Sequence, residues 1–173
     1  GDGSFQLAAG IMDVGEGATT VLAQIAAQEL GVSADLVHNT AADTRLTPDA
    51  PLTAGSTLTF STGLSVKEAA SRLRMRMLET AAGLLDADVS QLAVRDGVIV
   101  TTCGPEKTMT IDKLASSSLD TPLEVNAEVV PGSNNYIVNS FGAHFAQVEV
   151  DIETGQVKIL RYVAAHDSGN ILN

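Results

Sequence analysis

The sequence predicts an α+β fold: a strand–glycine turn–helix unit, a second long helix, and antiparallel hairpins. Three observations predict it. Apolar residues recur at helical spacing in two separate windows, each drawing one buried stripe. Two stretches alternate around the turn signals Asp96-Gly97 and Thr154-Gly155, the pattern of hairpins. Finally, 173 residues of which 45% are hydrophobic suit a globular chain able to bury a core. No repeat or linker divides it, so residues 1–173 read as a single α+β segment.

Residues 4–10 (SFQLAAG) predict a short strand ending in small residues. A glycine-spaced turn, Asp13 to Gly17, runs into a helix whose stripe is Val21, Leu22, Ile25, Ala26 and Leu30, with Gly31 as its C-cap. Residues 36–40 suggest a second strand. Residues 41–63 form a long Thr/Ser-rich stretch with Pro48, Pro51, Gly55 and Gly63, and loops of that length usually have a function. A second helix follows, with Val66, Ala69, Ala70, Leu73, Met77, Ala81 and Leu84 on one face. Strands are then expected over 92–95 and 98–102, a short helix over 112–116, a strand over 123–130 and a loop over 131–135. The last hairpin pairs 143–152 with 156–165. Both ends read as cut, which predicts a piece of something larger.

Composition excludes several functions. Ten Lys plus Arg against 21 Asp plus Glu gives a formal net charge of −11, a poor match for a phosphate backbone or an anionic membrane. Arg72, Arg74 and Arg76 form one short basic cluster. No apolar run reaches the roughly 18 residues of a membrane span, and no leader pattern opens the chain, which points to the cytoplasm. The single cysteine, Cys103, leaves no internal disulfide and no cysteine-held cluster. His38, His144 and His166 lie too far apart for a helical zinc motif, so no metal ligands are assigned. With 3% aromatic residues and no Trp, there is little stacking surface.

Two loops carry chemistry. Val14, Gly15, Glu16 and Gly17 lead into a helix start, where free N–H groups and the helix dipole suit an anionic, oxygen-rich group. The pattern is neither a dinucleotide fingerprint nor a P-loop, and on these residues alone a tight strand-to-helix turn with Asp13 and Glu16 near the N-terminus is the plainer explanation. Thr53, Ala54, Gly55 and Ser56, with Thr57 and Thr59 beyond, offer small residues and hydroxyls; a solvated Ser/Thr loop is the plain alternative. His166-Asp167 is read as turn chemistry, with Asp167 bonding the backbone that follows. His144 reads as a satisfied, partly buried strand residue, and Cys103 as an inert thiol. A nucleophile elbow is absent, and no catalytic residue is assigned.

Taken together, these stretches resemble the molybdenum-cofactor-binding large subunits of the molybdenum hydroxylases, the relatives of xanthine dehydrogenase, aldehyde oxidase and carbon monoxide dehydrogenase. Residues 10–17 (GIMDVGEG), with Ala23 to Ala26 and Glu29 to Gly31, resemble that family's Gly-Gln-Gly loop and following helix. Asp43, Thr44, Pro48, Ala54 to Ser56 and Gly63 resemble its second cofactor loop. Residues 141–151 (FGAHFAQVEVD), Thr154-Gly155 and His166 to Asn173 are also similar. The match runs through the whole chain in order.

The resemblance implies an internal segment of a molybdopterin-binding domain. It assigns cofactor contacts to Val14, Gly15, Glu16 and Gly17 in the first loop and to Thr53, Ala54, Gly55, Ser56 and Thr59 in the second. Glu16 stands where the family usually has glutamine; an amide can donate a hydrogen bond, whereas an ionised carboxylate only accepts. The motif carrying the family's catalytic glutamate is not in these residues, so the chain alone is not expected to catalyse. The parent is expected to be an oxidoreductase acting on an aldehyde or N-heterocycle with water-derived oxygen. Its cofactor would be molybdopterin, as such or as its cytosine dinucleotide, with iron–sulfur and flavin centres on other domains or subunits. Expected partners are the rest of the large subunit and the iron–sulfur and flavin subunits, and the isolated chain is expected to self-associate. The rival readings are a stand-alone structural or subunit-association domain and a small anion-binding module.

Overall fold

A computed structural model of the chain describes residues 1–40, 43–50, 52–118, 122–130 and 139–169. They belong to two compact units, Gly1–Pro131 and Gly132–Asn173. The first opens with β1 (Phe5–Leu7), α1 (Ala18–Leu30) and β2 (Val37–Asn39). β1 and β2 pair in parallel, Phe5 against Val37 and Leu7 against Asn39. Parallel neighbours need a crossover, and α1 supplies it. The expected strand–turn–helix unit thus closes on the second strand expected over 36–40. β1 stops short of the expected Gly10, because the chain there leaves the ladder and runs against Pro48.

α1 buries Leu22, Ala23, Ala26, Ala27 and Leu30, close to the expected stripe. Gly31 ends it in the left-handed conformation (φ +75°), donating its N–H to the Ala27 carbonyl. α2 (Leu58–Leu85) is longer than the periodicity suggested, since Leu58 to Gly63 are already helical. Gly63 sits inside the helix for a packing reason: a Cβ there would lie 3.1 Å from Ile25 Cδ1. Further along, Arg74 pairs with Glu29 at 3.1 Å. The two contacts follow the same order on both helices, so α1 and α2 run in the same sense with their N-termini at one end. Leu78 belongs to the core, whereas Leu84, expected on the buried face, is exposed.

β3 (Leu92–Arg95), β4 (Val98–Thr101) and β5 (Thr108–Thr110) form an antiparallel sheet in that order. Asp96 (φ +49°) and Gly97 (φ +76°) make the tight primed turn between β3 and β4. β5 was not anticipated. α3 (Ile111–Ser118) follows it, near the expected place. Lys107 Nζ bonds the Leu85 and Asp86 carbonyls at 2.6 and 2.7 Å, placing a cation on the C-terminus of α2. Leu22, Ile99 and Leu114 are the large residues sealed from solvent in this unit.

The expected strand over 123–130 is corrected. Residues 122–130 alternate exposed and half-buried as a strand does, yet they join no ladder. Their polar groups go to α2 side chains: Arg76 donates to the Glu124 carbonyl (2.7 Å), Arg72 to that of Asn126 (3.3 Å), and Val129 N–H donates to Ser65 Oγ (3.0 Å). Arg72 and Arg76 of the basic cluster therefore strap a peptide to a helix. The expected loop over 131–135 lies outside the described residues.

The second unit is a hairpin of β6 (Phe141–Val150) and β7 (Val157–Asp167), with a register shift between Gln147 and Val148. Asp151 closes its turn by accepting from the Glu153 and Thr154 N–H groups. Apolar Phe141, Phe145 and Val163 are exposed on one face; Val148, Val150, Val157 and Ile159 are exposed on the other. His144 is exposed, not half-buried, and its Nδ1 bonds the Tyr162 hydroxyl at 2.6 Å. Asp167 accepts from the Gly169 N–H at 3.0 Å, the turn chemistry expected of it. Among the described residues no helix is long and apolar enough to cross a membrane.

The two helix glycines give opposite predictions. Gly31→Ala would force a left-handed alanine whose Cβ lies 3.0 Å from the Val94 carbonyl oxygen, lowering stability by about 1–3 kcal/mol. Gly83→Ala meets nothing within 4 Å inside α2, and should raise stability by up to about 1 kcal/mol. Denaturant midpoints of the two variants check both signs.

Candidate functional site

The two candidate loops lie on different stretches of sequence and meet in space. Parallel packing of α1 and α2 puts both helix starts at one end. Two contacts then join the loops that enter them. Thr53 Oγ1 donates to the Met12 carbonyl at 2.9 Å. Nearby, a Cβ on Gly10 would fall 2.0 Å from the Pro48 carbonyl oxygen, so the two backbones are in direct contact at the one residue type that allows it.

The first loop is organised by its own acids. The Asp13 carboxylate accepts from Gly15 N–H (2.8 Å), Gly17 N–H (3.4 Å), Thr19 N–H (3.3 Å) and the Thr19 hydroxyl (3.1 Å). Those bonds, the Gly15 N–H first, hold the Asp13 carboxyl below the ordinary aspartate value. Glu16 turns back on the loop, its Oε2 accepting from Val14 N–H at 2.8 Å. The expectation of free N–H groups at Gly15 and Gly17 is thus corrected: Asp13 takes both and that of Thr19, while those of Glu16, Ala18 and Thr20 meet no acceptor among the described residues. Gly15 (φ +106°) and Gly17 (φ +81°) have open space where a side chain would be.

The second loop is built differently. Asp43 begins it, its carboxylate paired with Arg45 at 2.8 Å. Thr57 bonds back to the Ala54 carbonyl through its hydroxyl (2.9 Å). Gly55 (φ +61°) and Ser56 (φ +56°) are both left-handed, and for a serine that conformation costs roughly 1–2 kcal/mol. No acidic residue lies in the first turn of α2, and Thr57 makes no side-chain cap. Consequently the N–H groups of Leu58, Thr59 and Phe60 meet no acceptor among the described residues. Thr59, expected as a loop residue, lies in that first helical turn.

Of the nine predicted residues, Val14, Gly15, Glu16, Ala54, Gly55, Ser56 and Thr59 are exposed, while Gly17 and Thr53 are half-buried. Exposed Met12, Val14, Leu52 and Phe60 belong to the same two segments. The result is an open cradle of small residues with an acceptor-rich side, a donor-rich side and apolar margins. Among the described residues no group of three or more His, Cys, Asp or Glu is placed to hold a metal ion. Sequence reasoning named Gly10 and Pro48 within the loops but missed that they, with Thr53 and the Met12 carbonyl, join them; a backbone contact across the fold has no local signal.

The sequence profile of the molybdopterin cofactor-binding domain matches residues 1–173, the whole chain. The chain belongs to that family. It is 32% identical to the carbon monoxide dehydrogenase large chain of Afipia carboxidovorans, over 99% of this chain and 22% of that one. A putative xanthine dehydrogenase molybdenum-binding subunit of Escherichia coli is 30% identical over 99% of this chain and 23% of its own length. The crystal structure of quinoline 2-oxidoreductase from Pseudomonas putida 86 superposes with a TM-score of 0.71 at 27% identity, covering 99% of this chain and 23% of that one. The chain therefore spans about a fifth of the length of these relatives. The resemblance read from the loops is borne out at the level of the family and its cofactor, molybdopterin.

The cradle fits such a cofactor on its own chemistry. Open glycine positions let a flat ligand approach the backbone, and unpaired N–H groups beside acceptor-rich carboxylates suit a molecule that carries both oxyanions and N–H donors.

Two predictions follow from this geometry. Gly10→Ala must displace the second loop from the first and should cost about 1–3 kcal/mol, read as a lower denaturation midpoint. The Asp13 carboxyl has a folded-state value below its ordinary 3.8, so its contribution to holding the α1 start is complete above that value. It is lost as pH falls through the lower, folded-state value. Asp13→Asn keeps an acceptor oxygen but should flatten this acid limb, checked by amide exchange in residues 13–20 as a function of pH.

Proposed function

We propose that this chain forms a wall of the molybdopterin site in the large subunit of a molybdenum hydroxylase. The observation that carries the reading is the junction of the loops, Thr53 on the Met12 carbonyl and Gly10 on Pro48. In this reading Val14, Gly15, Glu16 and Gly17 line one side of the cofactor, and Thr53, Ala54, Gly55, Ser56 and Thr59 line the other. Residues 1–173 act as one segment of the cofactor-binding domain.

The loops divide the work by charge. The start of α2 keeps unpaired N–H groups and no neutralising acid, so it is the side that takes oxyanions of the cofactor. The first loop, already carrying two carboxylates, would repel an oxyanion and faces N–H donors instead. Gly15, Gly17 and Gly55 let the backbone come close where any side chain would intrude. When bound, the cofactor supplies the redox centre; this chain binds and orients it.

The substrate of the whole enzyme is an aldehyde or N-heterocycle, oxidised with oxygen derived from water. Xanthine and quinoline, in the names of two relatives, support the heterocycle arm. Electrons leave through iron–sulfur and flavin centres held by other domains or subunits, since the one cysteine of this chain cannot hold a cluster. The rest of the large subunit and those electron-transfer subunits are the partners. The exposed apolar margins of the cradle and both apolar faces of the β6–β7 hairpin suit cover by such neighbours.

Elemental analysis of the native complex, normalised to this polypeptide, tests the reading. It predicts near-stoichiometric molybdenum. None, from cells shown to make the cofactor, would reject the assignment and favour a structural role.

A further inference from the structure

We propose that Glu16 is a positioning residue: it sets the shape of the first loop through the Val14 N–H and contributes no hydrogen-bond donor to the cofactor. The inference rests on the reading above that this loop receives molybdopterin, and it deepens that reading by assigning the loop's polarity.

The geometry is specific. Glu16 Oε2 lies 2.8 Å from Val14 N, closing a short ring over Gly15, whose φ of +106° is open to glycine and strained for other residues. Asp13 holds the next donors, the N–H groups of Gly15, Gly17 and Thr19. Two carboxylates thereby turn four backbone N–H groups of one short segment inward and set their negative charge beside the Glu16, Ala18 and Thr20 N–H groups, which meet no acceptor among the described residues. What remains on Glu16 is Oε1, for which the described residues provide no donor. An ionised carboxylate has nothing to donate, so the loop selects an N–H-bearing edge of its ligand, an amino or ring N–H group. The α2 start, with unpaired N–H groups and no acid, takes the oxyanionic end. Loop polarity thus fixes which way round the ligand lies.

The conservative variant separates shape from charge. Glu16→Gln keeps an oxygen able to accept from Val14 N–H; Glu16→Ala keeps none. Both are made in the intact complex that contains this chain. Amide exchange resolved to Val14 and molybdenum per polypeptide are then measured. Glu16→Ala should speed Val14 exchange roughly threefold to tenfold, the loss of one net hydrogen bond, and lower bound molybdenum several-fold. Glu16→Gln should leave Val14 exchange near the unsubstituted protein but, with an amide NH2 in place of the accepting Oε1, should still lower bound molybdenum. Unchanged Val14 exchange in Glu16→Ala would overturn the latch. Faster exchange with full molybdenum in Glu16→Ala would overturn the positioning role, and full molybdenum in Glu16→Gln would overturn the acceptor polarity assigned to the loop. If the unsubstituted complex holds no molybdenum, the functional reading fails by itself, and the exchange comparison still decides the latch.

Discussion

The parallel packing of α1 on α2 is the constraint on which the candidate site depends. Gly63 lets α2 lie against Leu22 and Ile25, and that close approach near both helix starts holds the two N-termini together. Nothing in either loop alone would make a site. With the helices fixed, the loop before α1 and the loop before α2 have to emerge side by side, and Gly10 against Pro48 joins them through backbone. The fold converts two unremarkable Gly/Ser/Thr turns into a single cradle. Such a seam is also intolerant of volume, because a side chain at Gly10 or a larger one at Gly63 would displace a loop or a helix rather than fill a gap.

Electrostatics then makes the cradle unsymmetrical. Both loops end at the positive end of a helix, so on dipole arguments alone they are equivalent. Asp13 breaks the equivalence by placing a carboxylate on the start of α1, where it caps the helix and occupies the anion position itself. α2 has no such residue, and the left-handed Gly55-Ser56 pair instead leads into its unpaired N–H groups. The strain at Ser56 is a feature that stability alone gives no reason to keep; ligand binding gives one.

How much was legible in the sequence followed how local each signal was. Gly31, Asp96-Gly97 and Thr154-Gly155 marked a helix end and two turns correctly, because left-handed backbone is a property of a few adjacent residues. The stripe of α1 was legible for the same reason. The start of α2 was not, since Ser61, Thr62 and Gly63 look like loop residues, and the packing of Gly63 against Ile25 of α1 has no local signal. Residues 123–130 show the opposite error: their alternation is real, but Arg72 and Arg76 satisfy carbonyls that a neighbouring strand was expected to meet. The nine candidate residues came from glycine spacing together with the family resemblance. Their meeting point was hidden, as was the capture of the Val14, Gly15, Gly17 and Thr19 N–H groups by Asp13 and Glu16.

The central claim is that one ligand spans both loops, with its oxyanionic end at α2. A crystal structure of the intact holocomplex tests it most directly, with molybdenum located by anomalous scattering and the pterin built into density. The account predicts a cofactor in contact with both residues 14–17 and residues 53–59, an oxyanion within hydrogen-bond reach of the Leu58 to Phe60 N–H groups, and Glu16 still bonded to Val14. A cofactor seated away from these loops, or one whose oxyanion rests on the Gly15-Glu16-Gly17 turn, would contradict it.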